Sequence, residues 1–153
     1  MPIEQLKRFL DGNAVKYVTV KHSPAYTAQE VAALAHVPGQ EWAKTVMVKL
    51  DGKMAMAVVP ASCRVVFDLL KQASNARDAE LATEREFQDL CPGCETGAMP
   101  PFGNLFGMDV FVDESLAADS EIAFSAGSHS EMVRLPVADF LRLVRPRVVR
   151  LAR

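Results

Sequence analysis

The chain has 153 residues, half of them hydrophobic and about a quarter charged, with a formal net charge of -2. That length buries a core without staples and that composition argues against disorder, so one domain over residues 1–153 is expected. The near-neutral charge excludes a non-specific nucleic-acid coat, and no apolar run is long enough to cross a bilayer.

The first residues lack the apolar core of a signal peptide, so cytoplasmic residence is the expectation. Cys63, Cys91 and Cys94 are an odd, sparse set and a poor disulfide framework, in keeping with a reducing compartment.

Residues 2–10 predict a helix, with Ile3, Leu6, Phe9 and Leu10 at helical spacing and Gly12-Asn13 to end it. Residues 17–22 predict a strand with Val18, Val20 and His22 on one face. Thr27 and Glu30 form a capping-box pattern opening a short helix over residues 31–35, which Pro38-Gly39 ends. The stretch EWAKTVMVKLDGKMAMAVVP, residues 41–60, then predicts two strands joined at Asp51-Gly52, a dipeptide suited to the positive φ of a tight hairpin turn. Alternation puts Lys44 on a face with Val46, Val48 and Leu50, and Lys49 on the other with Thr45 and Met47. Lys49 is expected in water. Lys44 either snorkels past the edge of the core or is kept there to hold something, because an unpaired buried ammonium is costly.

Further along, VVFDLLKQAS predicts a helix, and Thr83 with Glu86 forms a second capping-box pattern. Residues 91–107 are too rich in Pro and Gly for regular structure throughout. MDVFVD, EIAFSA and MVRL read as short strands, and Pro136 starts a helix carrying Val137, Phe140, Leu141 and Val144, stopped at Arg145-Pro146. Arginines crowd the C-terminus. Arg147, Arg150 and Arg153 are candidates for phosphate contact, against the alternative of a solvated terminal face. The pattern is α+β: a mixed sheet with helices around it.

Candidate chemistry is sparse. The lone CPGC lacks the second ligand pair of a structural zinc site and the strand-to-helix setting of a redox motif, so no metal is expected and its cysteines are read as lining the loop before Gly97. Ser128 and His129 are neighbours whose side chains diverge on an extended chain, which excludes a dyad between them. His22 reads as a core histidine or a ligand. The loop GAMPPFG, residues 97–103, has glycines at both ends and a stiff Pro100-Pro101 centre, able to aim backbone N–H groups at a fixed point or simply to bridge two core elements.

Taken together, the AKTVMV strand, the GAMPPFG loop and the segment AGSHSEMVRLPVADFLRLV resemble the YbaK/ProX family, free-standing relatives of the editing domain of bacterial prolyl-tRNA synthetase; the likeness extends to the early TAQEVA segment. The resemblance implies a mixed α/β fold with a curled, barrel-like sheet around a pocket. It also implies hydrolysis of the ester of a mischarged aminoacyl-tRNA, without metal or organic cofactor, in possible partnership with a synthetase. It places the key lysine on Lys44 and the GxxxP loop on Gly97 and Pro101. Substrate contacts are then expected from Thr45, Pro100, Phe102 and Gly103, from Gly127, Ser128 and His129 at the later turn, and from His22 and Tyr26. A small side chain such as Ala, Ser, Thr or Cys is the expected cargo. The competing expectation is a module of the same fold that captures a tRNA end or aminoacyl group without turnover.

Overall fold

The computed structural model describes residues 2–21, 41–90, 94–95 and 97–153. In chain order the elements are helix α1 (Pro2–Gly12), strands β1 (Val18–Lys21), β2 (Ala43–Leu50) and β3 (Lys53–Pro60), helix α2 (Phe67–Ser74), β4 (Ala79–Leu81), α3 (Glu84–Phe87), a 3-10 turn (Gly103–Leu105), β5 (Asp109–Asp113), α4 (Glu114–Ala117), β6 (Glu121–Ser125), β7 (Glu131–Pro136), α5 (Val137–Val144) and β8 (Arg147–Val149). The expected helix over residues 31–35, together with His22, Tyr26 and Cys91, lies outside the described residues.

The β2–β3 hairpin forms as its turn chemistry requires. Asp51 and Gly52 have φ of 50° and 83°, both positive, so the turn twists with its strands. Asp51 also accepts from the N–H groups of Arg77 and Asp78, which ties the turn to the approach of β4. β3 pairs in parallel with β5, and β5 with β8. The result is one sheet in the order β4-β2-β3-β5-β8 and another in the order β1-β7-β6.

These are open sheets, not the barrel-like sheet expected. Among the described residues they are linked by the bridge between Trp42 and Ala123. The free edge of β2 is divided: Trp42, just before it, meets β6, while residues 48–50 pair with β4. Among the described residues no strand runs along the whole edge to close it.

Both faces of the β2–β3 hairpin are buried, against different partners. Ala43, Met47, Met56 and Val58 pack with Leu6 and Leu10 of α1, Phe124 of β6, Val133 of β7 and Phe140 of α5. Val48, Ala55, Ala57 and Val59 pack with Leu70 of α2, Phe111 of β5 and Leu151. Helix α5 buries Val137, Phe140 and Val144, as its spacing predicts, and ends on Arg145 in the left-handed conformation. Strands β4 and β8 and helix α4 are too short to announce themselves, since three or four residues carry no measurable period.

Candidate active site

Lys44 opens β2 opposite Val59 of β3. Beyond β3 the chain turns back at once, with Cys63 N–H donating to the Pro60 carbonyl at 2.9 Å. That turn sets the Cys63 carbonyl over the start of β2, where Lys44 Nζ donates to it at 2.7 Å. The amine is partly buried and pairs with no carboxylate among the described residues. Desolvation pushes its pKa below the ordinary lysine value; the Cys63 thiol opposes that shift and the Arg64 guanidinium reinforces it. An ammonium has three N–H donors, so two remain for another acceptor.

The 97–103 loop lies on a different side of β2. Met99 and Phe102 belong to the cluster of Ala43 and Met47, whereas Lys44 shares its face with Val46 and Val48. The structure therefore gives Lys44 the 60–63 turn as its hydrogen-bond partner, not the proline loop. Residues 98–103 are buried and Gly97 is exposed at the loop's mouth. Gly97 has φ of 80°, which an L side chain rarely adopts. Gly103 is needed for space, since a Cβ there would fall 2.6 Å from the Met108 carbonyl oxygen. Phe102 is wholly buried, with ring centroids 5.5 to 6.1 Å from those of Phe124, Phe140 and Phe9. Phe102 and Gly103 thus act in core packing in this structure, a place the glycine-proline motif alone did not distinguish from a pocket wall.

The later glycine turn closes on this loop. Gly127 N–H donates to the Ala98 carbonyl at 2.8 Å, and Glu95 N–H to the Gly127 carbonyl at 2.8 Å. Glu95 also accepts from the His129 N–H at 3.0 Å, with His129 Nε2 3.9 Å from the same carboxylate. An ideal Cβ on Gly97 would lie 3.7 Å from His129 Cε1. Gly97, Gly127 and His129 are therefore brought together. Ser128 turns away to Ser130, 3.3 Å between hydroxyls. Thr45 Oγ1 is buried and has no hydrogen-bond partner among the described residues. Cys94 is disulfide-bonded, against the expectation of reduced cysteines, and Cys63 is free. An odd count forbids complete pairing but not a single bond.

The three C-terminal arginines separate. Arg147 lies over the Phe111 ring, 5.4 Å from its centroid. Arg150 and Arg153 are exposed, and Arg153 is held beside Arg64 by paired backbone hydrogen bonds. Sequence reasoning missed Glu95, Arg64 and Asp113. Only Glu95 left a trace, as a carboxylate two residues before the glycine loop.

Comparison with known proteins agrees with this architecture. The family profile of the aminoacyl-tRNA editing domain matches residues 22–143. A multifunctional Ser/Thr-tRNA deacylase, ProXp-y of Escherichia coli (strain K12), is 26% identical over 155 residues, covering 98% of this chain and 92% of that protein. A proline–tRNA ligase of Bacillus mycoides (strain KBAB4) is 26% identical over 90 residues, covering 59% of this chain and 16% of the ligase. The crystal structure of a candidate trans-editing enzyme for prolyl tRNA synthetase superposes with a TM-score of 0.84 at 19% identity, covering 99% of this chain and 97% of that one. The profile spans most of the chain, Lys44 and the glycine loop included, and the chain belongs to the aminoacyl-tRNA editing domain family.

Proposed function

We propose that this protein is a trans-editing aminoacyl-tRNA deacylase that hydrolyses the ester of a tRNA mischarged with a small amino acid. The observation that carries the reading is Lys44: a partly desolvated ammonium, anchored by one hydrogen bond and without a carboxylate partner among the described residues, with two donors to offer. Those donors suit an ester carbonyl or a ribose hydroxyl. Cargo size is supported by the name of the Escherichia coli relative, a Ser/Thr-tRNA deacylase, since both residues are small.

Hydrolysis needs a water oxygen to attack the ester carbon and the bond to the ribose oxygen to break, with the proton of the water passing to that leaving oxygen. The ester is already activated, so holding water, carbonyl and ribose in line is enough, and no covalent nucleophile is called for. In the glycine-proline loop Pro100 and Pro101 have no N–H, and Ala98 N–H is engaged with the Glu95 carbonyl. The loop lies on the other side of β2 from Lys44, so in this reading Lys44 donates to the developing oxyanion and the loop, stiffened by Pro101, is scaffold. One well-aimed donor is worth about 3 to 4 kcal/mol in such a role.

The test is a panel of tRNAs mischarged with Ala, Ser, Thr or Cys. Release of at least one of these amino acids, lost in Lys44→Ala, is the expected result. Binding without release would make the protein a capture module instead.

A further inference from the structure

Two arginines, Arg64 and Arg153, face each other beside the turn that holds Lys44. We propose that Arg64 and Arg153 form a clamp for one phosphodiester of the RNA strand whose end reaches Lys44. The identity of the strand rests on the deacylase reading; the geometry does not.

The peptide unit between Cys63 and Arg64 is the hub. Its carbonyl oxygen accepts from Lys44 Nζ at 2.7 Å, and its N–H donates to the main-chain oxygen of Arg153 at 3.1 Å. Arg153 N–H returns a bond to the Arg64 carbonyl at 3.0 Å. Residues that exchange both bonds stand directly opposite in an antiparallel pair, about 5.5 Å apart at Cα, with their side chains on the same side. The bridge between Val65 and Ala152 continues the pairing.

Two like charges set opposite each other are unfavourable. Both arginines are exposed, and among the described residues neither has an ion-pair partner. Yet the segment that carries Arg153 is firmly held. Leu151 is fully buried, and the buried Asp113 carboxylate accepts from the N–H groups of Leu151 at 2.9 Å and Ala152 at 3.0 Å. A pair of exposed guanidinium forks carried on a backbone held in place, with Arg64 near the Lys44 ammonium, fits an anion with several acceptor oxygens, and a phosphodiester supplies that.

The experiment measures binding of uncharged tRNA as a function of salt for the wild type, Arg64→Gln, Arg153→Gln, the double variant and Arg8→Gln, an exposed control on α1. The slope of log affinity against log salt should fall by about 1 in the double variant. Each single variant should lose nearly as much, because both arginines serve one phosphate. A slope unchanged in the double variant, or matching Arg8→Gln, overturns the clamp, as does an additive loss of about 2, which would mean separate phosphates. The thermal midpoint of the double variant should be no lower than the wild type's; a lower one marks the pair as structural and overturns the proposal. Binding is read without turnover, so failure on every mischarged tRNA would sink the deacylase reading alone, and turnover with an unchanged slope would sink the clamp alone.

Discussion

At the turn end of the β2–β3 hairpin Lys53 lies 3.9 Å from Asp109, and Arg147 covers Phe111, around a cavity of about 170 Å³. At the other end, about 20 Å away by strand rise, Lys44, Arg64 and Arg153 have no carboxylate among the described residues. The same residue types are architecture at one end and, at the other, cations with no ion-pair partner among the described residues. Cations matched within the fold need no ligand to explain them. Cations gathered without anions do, because their mutual repulsion opposes folding unless something outside the chain relieves it.

The largest effect that can break this contrast is on turnover. Lys44→Ala should lower deacylation by about 100-fold to 1,000-fold, the usual cost of one lost donor to a developing oxyanion, whereas Lys53→Ala should leave it unchanged; equal losses in steady-state assays would erase the distinction between the two ends. Next comes the anchor of the unpaired end. Asp113→Ala removes the cap of α4 and strands the buried N–H groups of Leu151 and Ala152. It should cost about 3 kcal/mol in urea unfolding and weaken tRNA binding with it.

A smaller shift is expected at Thr45, beside the lysine but on the other face. Its buried hydroxyl has no partner among the described residues, so Thr45→Val should raise stability by about 1 kcal/mol in the same assay. A matching fall in turnover would show that the hydroxyl is kept for the substrate. The smallest effect belongs to a paired cation near the hairpin turn. Lys49, expected in water, lies 2.6 Å from Glu86, and the Lys49 and Thr83 hydrogen bonds hold the Glu86 pKa down to about 2 from an ordinary 4.5. That pairing stabilises the fold fully above pH 4.5 and is lost as pH falls toward 2. Glu86→Gln should therefore flatten the acid limb of the unfolding midpoint between those values. An unchanged acid limb would show that this pair contributes nothing.

Much of this was legible locally. The Asp51-Gly52 turn, the Thr83 and Glu86 capping box, observed complete, and the apolar spacing of α5 are contacts between near neighbours, which sequence pattern reports directly. The likeness of three segments to a known family singles out Lys44 and the glycine loop from the sequence alone.

By itself, then, the sequence determined the hairpin, the helices longer than two turns, the family and the oddity of a lysine on an apolar strand face. Only the tertiary structure decided that the sheets stay open, that Phe102 belongs to the core, and that Lys44 meets the Cys63 carbonyl instead of the proline loop. It alone set Arg64 against Arg153, residues far apart in the chain. The physical reason is reach: periodicity and turn chemistry act over a few residues, whereas strand order, burial and the meeting of charges depend on contacts between segments whose separation no local pattern records.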